Sequence, residues 1–520
     1  MDNIGHCGPT SDAISDLLKT GIDNADSVLD YQHTACRLAE RHAKRQSCGA
    51  DLPRTNRQEG GTMGVGLDDD LLRDFFGNAE QRAIFDGPQR LQGWLDVERA
   101  LAQTQAELGI IPAEAAQRIS AHCQSDLFDI NRLRQHVNAT QHPIVPMVNA
   151  LEKLVGTEFG QFVHYGATSQ DIMDSGQALQ LRQSLQGIER DVAAATKAAA
   201  SLALKHRNTT QVGRTHGQHA VPISFGLKAA TWVDELQRLQ TRIAESRDRI
   251  LTVQIFGAAG SMAGYGDRAF EVKAGVASRL GLTEPVAPWH ATRDRIAELG
   301  SLMALLAGVS ERIAAEVIRL QSTEFGELVE PLQPGHIGSS TMPQKRNPHL
   351  SEGIVAKARI AQSLSAGLLR NGAHQHERDM GAWAVEWLTV PELMVGSGAM
   401  AADLNHLLEG LQVNAERMRR NVGITGGQVN AESLMMILDS SIGRDHAHHL
   451  LVELTRSADL RNLNFSEVAT TDERVASHLS QDQIMKALDP AQYLGFAPEV
   501  ADRISRPLTA EAEDRPSISS

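Results

Sequence analysis

Residues 335–352 read GHIGSSTMPQKRNPHLSE, and this stretch separates two long helical patterns. It is punctuated by glycine and proline, and it contains two adjacent serines, Ser339 and Ser340, followed by Lys345 and Asn347. Glycine lets a backbone come close to a ligand, and proline suits the first turn of a helix. The stretch is therefore predicted to be a rigid polar loop that carries chemistry in a helical protein.

The sequence on both sides of this loop predicts long helices. Apolar residues recur with helical spacing over stretches near thirty residues, and each such helix would be about 45 Å long. Only 4% of the residues are aromatic, and small aliphatic faces favour packing of helix on helix. The predicted fold class is all-α with few strands. The five long helices are predicted at 176–208, 222–251, 292–322, 348–371 and 383–411.

Composition limits the possible classes of function. The chain has 520 residues, of which 42% are hydrophobic and 22% charged, as in ordinary soluble globular proteins. No run of about 18 apolar residues predicts a membrane span. The net charge of −14 argues against a general nucleic-acid surface, although it allows a basic pocket for a small anion. We expect neither a membrane nor a nucleic-acid partner.

Cysteine use favours a reducing compartment. Four cysteines cannot form a disulfide framework in a chain of this size, and no secretion signal is recognisable, so the expected location is the cytoplasm. His33, Cys36, His42 and Cys48 are close in sequence, but their spacing fits no common zinc motif. A surface helix explains them more simply, and no metal site is predicted.

Shifts in composition predict five parts of the chain. A Gly-rich polar linker ends the first of them, and the last has a disordered composition. The predicted parts are an N-terminal appendage (1–64), an N-terminal helical domain (65–175), a central long-helix bundle (176–420), a C-terminal helical domain (421–507) and a disordered tail (508–520).

Three further polar segments interrupt the apolar pattern. QHPIVPMV (141–148) contains His142, and VHYGATSQDIMDSG (163–176) contains Thr168 and Ser169. Hydroxyls and free amides at a helix start can hold a carboxylate, although the same residues can simply cap the helix.

The third of these segments is GRTHGQHAVPISFG (213–226), which contains His216 and Gln218. A single histidine is more often structural than catalytic. However, all the polar segments lie near ends of predicted long helices, where bundles commonly gather functional groups.

The segments GSSTMPQKRNP (338–348), YGATSQD (165–171) and GRTHGQHA (213–220) resemble the signature regions of the fumarase/aspartase superfamily, in the family's order and spacing. The resemblance covers about residues 68–507 and is closest to the branch of 3-carboxy-cis,cis-muconate cycloisomerase and adenylosuccinate lyase. It implies a three-domain all-α fold and a homotetramer whose five-helix bundles form a twenty-helix core. It also implies active sites shared among three subunits, a small dicarboxylate substrate and no cofactor.

The resemblance also implies a mechanism. A base removes a proton beside a carboxylate, and the doubly charged aci-carboxylate intermediate needs fixed donors around it. By resemblance, Ser339 is the base and His216 the acid that protonates the leaving group. Lys345 and Asn347 bind the carboxylate and the intermediate, assisted by backbone amides near Ser340.

Further substrate-binding residues follow from the same resemblance. Thr168, Ser169 and Gln218 are expected to bind the other carboxylate, and His142 matches a second family histidine that contacts substrate. Arg378, in HERDMGAWAVEW (376–387), is a further candidate.

Two branches of the superfamily compete. Lactonising enzymes of the cycloisomerase branch carry bulky apolar residues where this chain has His216 and Gly217, which favours elimination over lactonisation. Adenylosuccinate lyase grips a nucleotide phosphate partly through serines, where this chain has Gly381, Ala382 and Trp383. An indole is a poor phosphate partner.

The preferred interpretation is therefore a fumarate-forming lyase that acts on a succinyl-type substrate without a nucleotide, bound near Trp383 and Trp387. Core packing is the alternative role of these tryptophans. The alternative functions are a lactonising cycloisomerase and an inactive helical scaffold.

Overall fold

The computed structural model describes residues 71–332, 342 and 344–510. Within these ranges the protein is almost wholly helical, with two small two-stranded antiparallel sheets. The predicted all-α fold class with few strands is confirmed. Ser339, Ser340, the predicted appendage (1–64) and the proposed His/Cys grouping lie outside the described residues. No described helix is long and apolar enough to cross a membrane.

The helices are numbered in chain order within the described residues. The first group is α1 (Arg73–Phe76), α2 (Ala79–Phe85), α3 (Gly87–Glu107), α4 (Ala113–His122), α5 (Ile130–Thr140), α6 (Val145–Val155), α7 (Ser169–Lys205), α8 (Phe225–Ile250), α9 (Ala269–Leu280) and α10 (Asp294–Gln321). The second group is α11 (His349–Arg370), α12 (Met380–Gly410), α13 (Ala415–Val422), α14 (Ala431–Ile442), α15 (Arg444–Arg461), α16 (Phe465–Thr471), α17 (Glu473–Ala476), α18 (Gln481–Ala487) and α19 (Ala497–Ala510). The strands are β1 (Thr210–Thr215), β2 (Gln218–Ser224), β3 (Leu328–Val329) and β4 (Gln412–Val413).

Five long helices form a closed bundle. Helix α7 packs against α8 and α12, α8 packs against α10, and α11 packs between α10 and α12. Their facing residues belong to one continuous apolar core. Because each helix has a partner along most of its length, the long predicted helices are stabilised by packing rather than by intrinsic propensity.

Four of the five predicted helix ranges agree with the structure to within three residues at each end. The exception is the first, predicted to begin at residue 176, because α7 begins at Ser169. Gly176 lies inside this helix, where it closely approaches Gly93 of α3. Glycine therefore permits a close helix crossing here and does not mark a helix boundary.

The C-terminal helices have a second apolar cluster. Helices α14 to α18 surround it, with Leu438, Leu454 and Phe465 among its buried members. Helix α19 instead packs against α7 and α8 of the bundle. The division of the chain into domains stays a prediction.

Candidate active site

His216 lies at the tip of a β-hairpin. Strands β1 and β2 are antiparallel, and Thr215 pairs with Gln218, so His216 and Gly217 form a two-residue turn. Their φ angles are 53° and 76°, the left-handed values that such hairpin turns require. His216 and Gln218 are both exposed at this tip. The sequence pattern did not predict this hairpin, and its signal is the glycine at the second turn position.

A buried ion pair fixes the base of the hairpin. Arg214 donates two hydrogen bonds to Glu327, at 2.5 and 3.2 Å, and its guanidinium lies over the ring of Phe325. Gln211 and Asn421 donate to the same carboxylate at 2.6 and 2.7 Å. Burial alone would raise the pKa of Glu327, but these hydrogen bonds outweigh it and lower the pKa. The turn is therefore supported by a buried hydrogen-bond network centred on Glu327, in which Nε of Arg214 and Oε1 of Gln211 have no described partner.

The start of α7 brings two predicted site residues together. Ser169 is the first residue of this helix, and its Oγ lies 3.5 Å from Nε2 of His142. Thr168 is the N-cap, and its N–H donates to Asp171 at 3.2 Å. Burial, and secondarily the charge of His164, lower the pKa of His142, so its imidazole is neutral near pH 7.

Both carboxylate oxygens of Asp171 are engaged in hydrogen bonds within the protein. It accepts hydrogen bonds from the backbone N–H groups of Phe256 and Gly257, at 3.0 and 2.8 Å, and its side chain is completely buried. Tyr265 donates to it at 3.2 Å, and Nε2 of His290 lies 3.0 Å away. Asp171 therefore fixes the segment before α7 and has no acceptor to spare for a substrate.

Arg378 is held by neutral groups. Its Nε donates to Oε1 of Gln170 at 2.8 Å, and its Nη2 donates to the carbonyl oxygen of Ala258 at 2.9 Å. The amide nitrogen of Gln170 donates in turn to Asp174 and to the carbonyl oxygen of His290. The described partners of Arg378 carry no charge, so none of them neutralises the guanidinium. Its charge is therefore available to bind an anionic ligand.

Behind Gln170 lies a buried ionic network. Arg293 is bidentate to Asp174, at 2.7 and 3.2 Å, and also hydrogen-bonds both carboxylate oxygens of Glu386. The indole N–H of Trp383 donates to Asp174 at 3.1 Å. Burial raises the pKa of Glu386, and nearby Asp174 adds to this, although Arg293 opposes it. Trp383 is therefore buried and fixed by Asp174, and its role in substrate binding stays a prediction.

Hydrogen bonds to Glu330 fix the chain just after the signature segment 338–348. Glu330 accepts hydrogen bonds from the backbone N–H groups of Leu350 and Ser351, at 3.0 and 2.9 Å, at the start of α11. A carboxylate is favourable at a helix N-terminus. Lys345 is exposed and Asn347 half-buried on the segment that leads into this helix.

The chain therefore brings only some of the predicted residues into contact. His142 lies beside Ser169, and Arg378 lies against the residue that follows Ser169. Within the described ranges, no hydrogen bond or ion pair joins His216, Lys345 or Asn347 to these groups. Residues 71–332, 342 and 344–510 also contain no group of three or more His, Cys, Asp or Glu side chains arranged to hold a metal ion.

Two protein-family models match the chain. A family model described as "Lyase" matches residues 75–362, and a model described as "Adenylosuccinate lyase C-terminus" matches residues 427–504. The chain belongs to the fumarase/aspartase superfamily of lyases. The lyase is therefore an enzyme of a family whose members act on small dicarboxylates.

Individual relatives bear different names. The lyase is 42% identical over 82% of its chain, and 94% of the relative, to 3-carboxy-cis,cis-muconate cycloisomerase of Pseudomonas aeruginosa. It is 36% identical over 84% of its chain, and 96% of the relative, to N-acetyl-S-(2-succino)cysteine lyase of Dickeya dadantii. A crystal structure of 3-carboxy-cis,cis-muconate lactonizing enzyme from Pseudomonas putida superposes with a TM-score of 0.81 at 37% identity, covering 85% of this chain and 100% of that one.

Proposed function

We propose that this lyase catalyses β-elimination from a succinyl-type dicarboxylate and releases fumarate. The observation that best supports this proposal is the position of His216. Its imidazole is exposed on a two-residue turn, and a buried ion pair supports that turn. Imidazole suits proton donation near neutral pH. A lactonising enzyme of the branch that the sequence resembles would carry a bulky apolar side chain at this position.

The alkoxide of Ser339 removes the proton from the carbon next to one carboxylate, giving the aci-carboxylate that Lys345 and Asn347 stabilise. The bond between the adjacent carbon and the heteroatom then breaks, and its electron pair leaves with the heteroatom. His216 supplies a proton to that atom, so the products are fumarate and the protonated nucleophile.

The second carboxylate of the substrate would bind at the start of α7. Thr168 and Ser169 are both half-buried there, and His142 lies within reach of Ser169. Gln218 of a neighbouring hairpin would complete this group. We further propose that three subunits of a cytoplasmic homotetramer supply these elements, since no hydrogen bond or ion pair joins them in the described chain.

A nucleotide substrate is disfavoured at the start of α12. The N–H of Ala382 there donates to the capping carboxylate of Asp379 at 3.1 Å, and the N–H of Gln375 donates to the same side chain at 3.3 Å. These hydrogen bonds lower the pKa of Asp379. A phosphate dianion would meet a carboxylate at this helix end, and the indole of Trp383 is turned towards Asp174.

The 42% identity to a cycloisomerase favours lactonisation of 3-carboxymuconate as the second candidate. One substrate panel separates the two functions. Fumarate is incubated with thiol, amine and alcohol nucleophiles, and 3-carboxymuconate is incubated alone, while ultraviolet absorbance is followed. Consumption of fumarate with a nucleophile supports elimination chemistry, and lactone from 3-carboxymuconate alone supports the cycloisomerase. Absence of both reactions would favour an inactive scaffold.

A further inference from the structure

Arg90 is a partly buried cation without a partner. It lies on α3, one turn before Trp94, and its guanidinium has no hydrogen bond or ion pair to any described residue. Burial lowers the pKa of Arg90, and no acidic neighbour counteracts this effect. A partly desolvated guanidinium normally finds a counter-charge, because leaving it unpaired is costly.

Arg90 lines a cavity of about 70 Å³ between α3, α7 and α12. This space is large enough for a small polar group such as a carboxylate, but not for a whole drug-sized ligand. Three tryptophans line the same cavity, Trp94, Trp383 and Trp387, together with Gln177. The buried indole N–H of Trp387 has no acceptor within the described ranges. The cavity thus combines aromatic walls with two unsatisfied donors.

The walls of this cavity are fixed before any ligand arrives. A Cβ atom on Gly176 would lie 2.8 Å from Cδ1 of Trp94 and 3.2 Å from the carbonyl carbon of Gly93, so α3 and α7 cross at their closest possible approach. Asp174 holds the indole of Trp383 through a 3.1 Å hydrogen bond. Rigid aromatic walls reduce the entropy lost on binding.

The cavity borders the candidate active site. Pro143 lines it and directly follows His142, whose ring contacts Ser169. Asp174 lines it too, and accepts a hydrogen bond from Gln170, the residue that holds Arg378. A substrate with its second succinyl carboxylate at the start of α7 would therefore extend its leaving group towards Arg90.

We propose that this cavity receives the carboxylate end of the leaving group and that Arg90 binds that carboxylate. The substrate class is then a succinyl adduct of a small nucleophile that has an apolar body and its own carboxylate, such as an N-acylated amino-acid thiol. Arginine binds carboxylates strongly and with defined geometry, and the indole N–H of Trp387 adds a second donor. This inference rests on the proposed elimination.

The test compares two substrates that differ by one charge. These are S-(2-succino)-N-acetylcysteine and the same adduct with its cysteine carboxylate converted to the amide. Arg90→Gln is expected to lower kcat/KM for the acid about 10- to 100-fold through KM, and to change the amide less than about threefold. Arg90→Lys should restore part of the loss. Arg99→Gln is the matched control, since Arg99 lies on the same helix but bonds Asp96 and the carbonyl oxygen of Cys123. Equal changes for both substrates would overturn the proposal.

A binding measurement separates this inference from the proposed reaction. N-acetylcysteine and its amide are titrated calorimetrically into wild-type, Arg90→Gln and Arg99→Gln proteins, each confirmed as folded by thermal melting. Tighter binding of the acid that is lost only in Arg90→Gln supports the carboxylate site even if no fumarate is formed. Binding that ignores Arg90, or no binding at all, would overturn it.

Discussion

His216 lies on an exposed turn whose backbone angles only a few residue types accept. If it protonates the leaving group, replacing it should matter most when the leaving atom is a poor one. We expect His216→Asn to slow elimination of an amine about 10²- to 10⁴-fold, and elimination of an activated thiol far less.

The measurement is kcat for a series of succinyl adducts with leaving groups of graded pKa. His446→Asn, on an exposed face of α15, provides the control and should leave every adduct unchanged. An equal loss for good and poor leaving groups would count against the acid role.

The contact between His164 and Glu98 makes a pH-dependent contribution to stability. Their side chains lie 2.6 Å apart, next to the YGATSQD segment. Burial disfavours the charged imidazole, but the attraction and hydrogen bond of Glu98 prevail and raise the pKa of His164 above its ordinary 6.5. This stabilisation is fully present below pH 6.5 and is lost as the pH rises through the raised value.

We therefore expect Glu98→Gln to reduce the free energy of unfolding by about 1–3 kcal/mol below pH 6.5, and by less at higher pH. Denaturant unfolding from pH 5.5 to 9 measures this difference. Glu107→Gln, at the exposed end of the same helix, should show no such trend. A loss that does not vary with pH would contradict the assignment.

Individual site residues differed in how far sequence could predict them. His142 and Ser169 lie in contact, as a shared role requires, although they are 27 positions apart. Arg90 was missed, because a single arginine in an amphipathic helix has no sequence signature. Only the cavity and the absence of a described partner distinguish it, and both depend on how three helices meet.

At the level of elements, periodicity was sufficient to predict the bundle. The spacing of apolar residues predicts helices α8, α10, α11 and α12, because that spacing places the apolar side chains on the faces that pack in the bundle. The start of α7 was misplaced since Gly176 resembles a boundary in sequence, whereas in space it permits a close crossing. The β1–β2 hairpin was missed because short polar strands have little alternation to detect.

The crossing of α3 and α7 can be tested by adding one methyl group. Gly176→Ala should reduce the free energy of unfolding by about 1–3 kcal/mol, because the new Cβ meets both Trp94 and the backbone of Gly93. It should also shift tryptophan fluorescence, since Trp94 must move.

Gly367→Ala is the matched control in helix α11. A Cβ there meets nothing within 4 Å, and alanine favours a helix over glycine, so this change should be neutral or stabilising by up to about 1 kcal/mol. If Gly176→Ala behaved like Gly367→Ala, the close crossing would not limit the packing of these helices.

At the level of the whole molecule, the proposed machinery is distributed over separate elements of the chain. The turn with His216, the segment with Lys345 and the start of α7 share no hydrogen bond or ion pair in the described parts of the chain. Family resemblance predicts a tetramer whose sites are shared among subunits, and the lack of direct bonds between these elements is consistent with that prediction. The same arrangement leaves the cavity at Arg90 formed within a single chain.

Mixing two inactive variants tests this central claim most directly. Ser339→Ala and His216→Asn proteins are prepared separately, dissociated, mixed in equal amounts and reassembled, and fumarate formation is measured with an amine adduct, for which both single variants are expected to be nearly inactive. If the two side chains in each site come from different subunits, random assembly should restore about a quarter of the wild-type activity. If the mixture stays as inactive as its components while wild-type protein recovers through the same treatment, both residues act from one chain and the account of a shared site is contradicted.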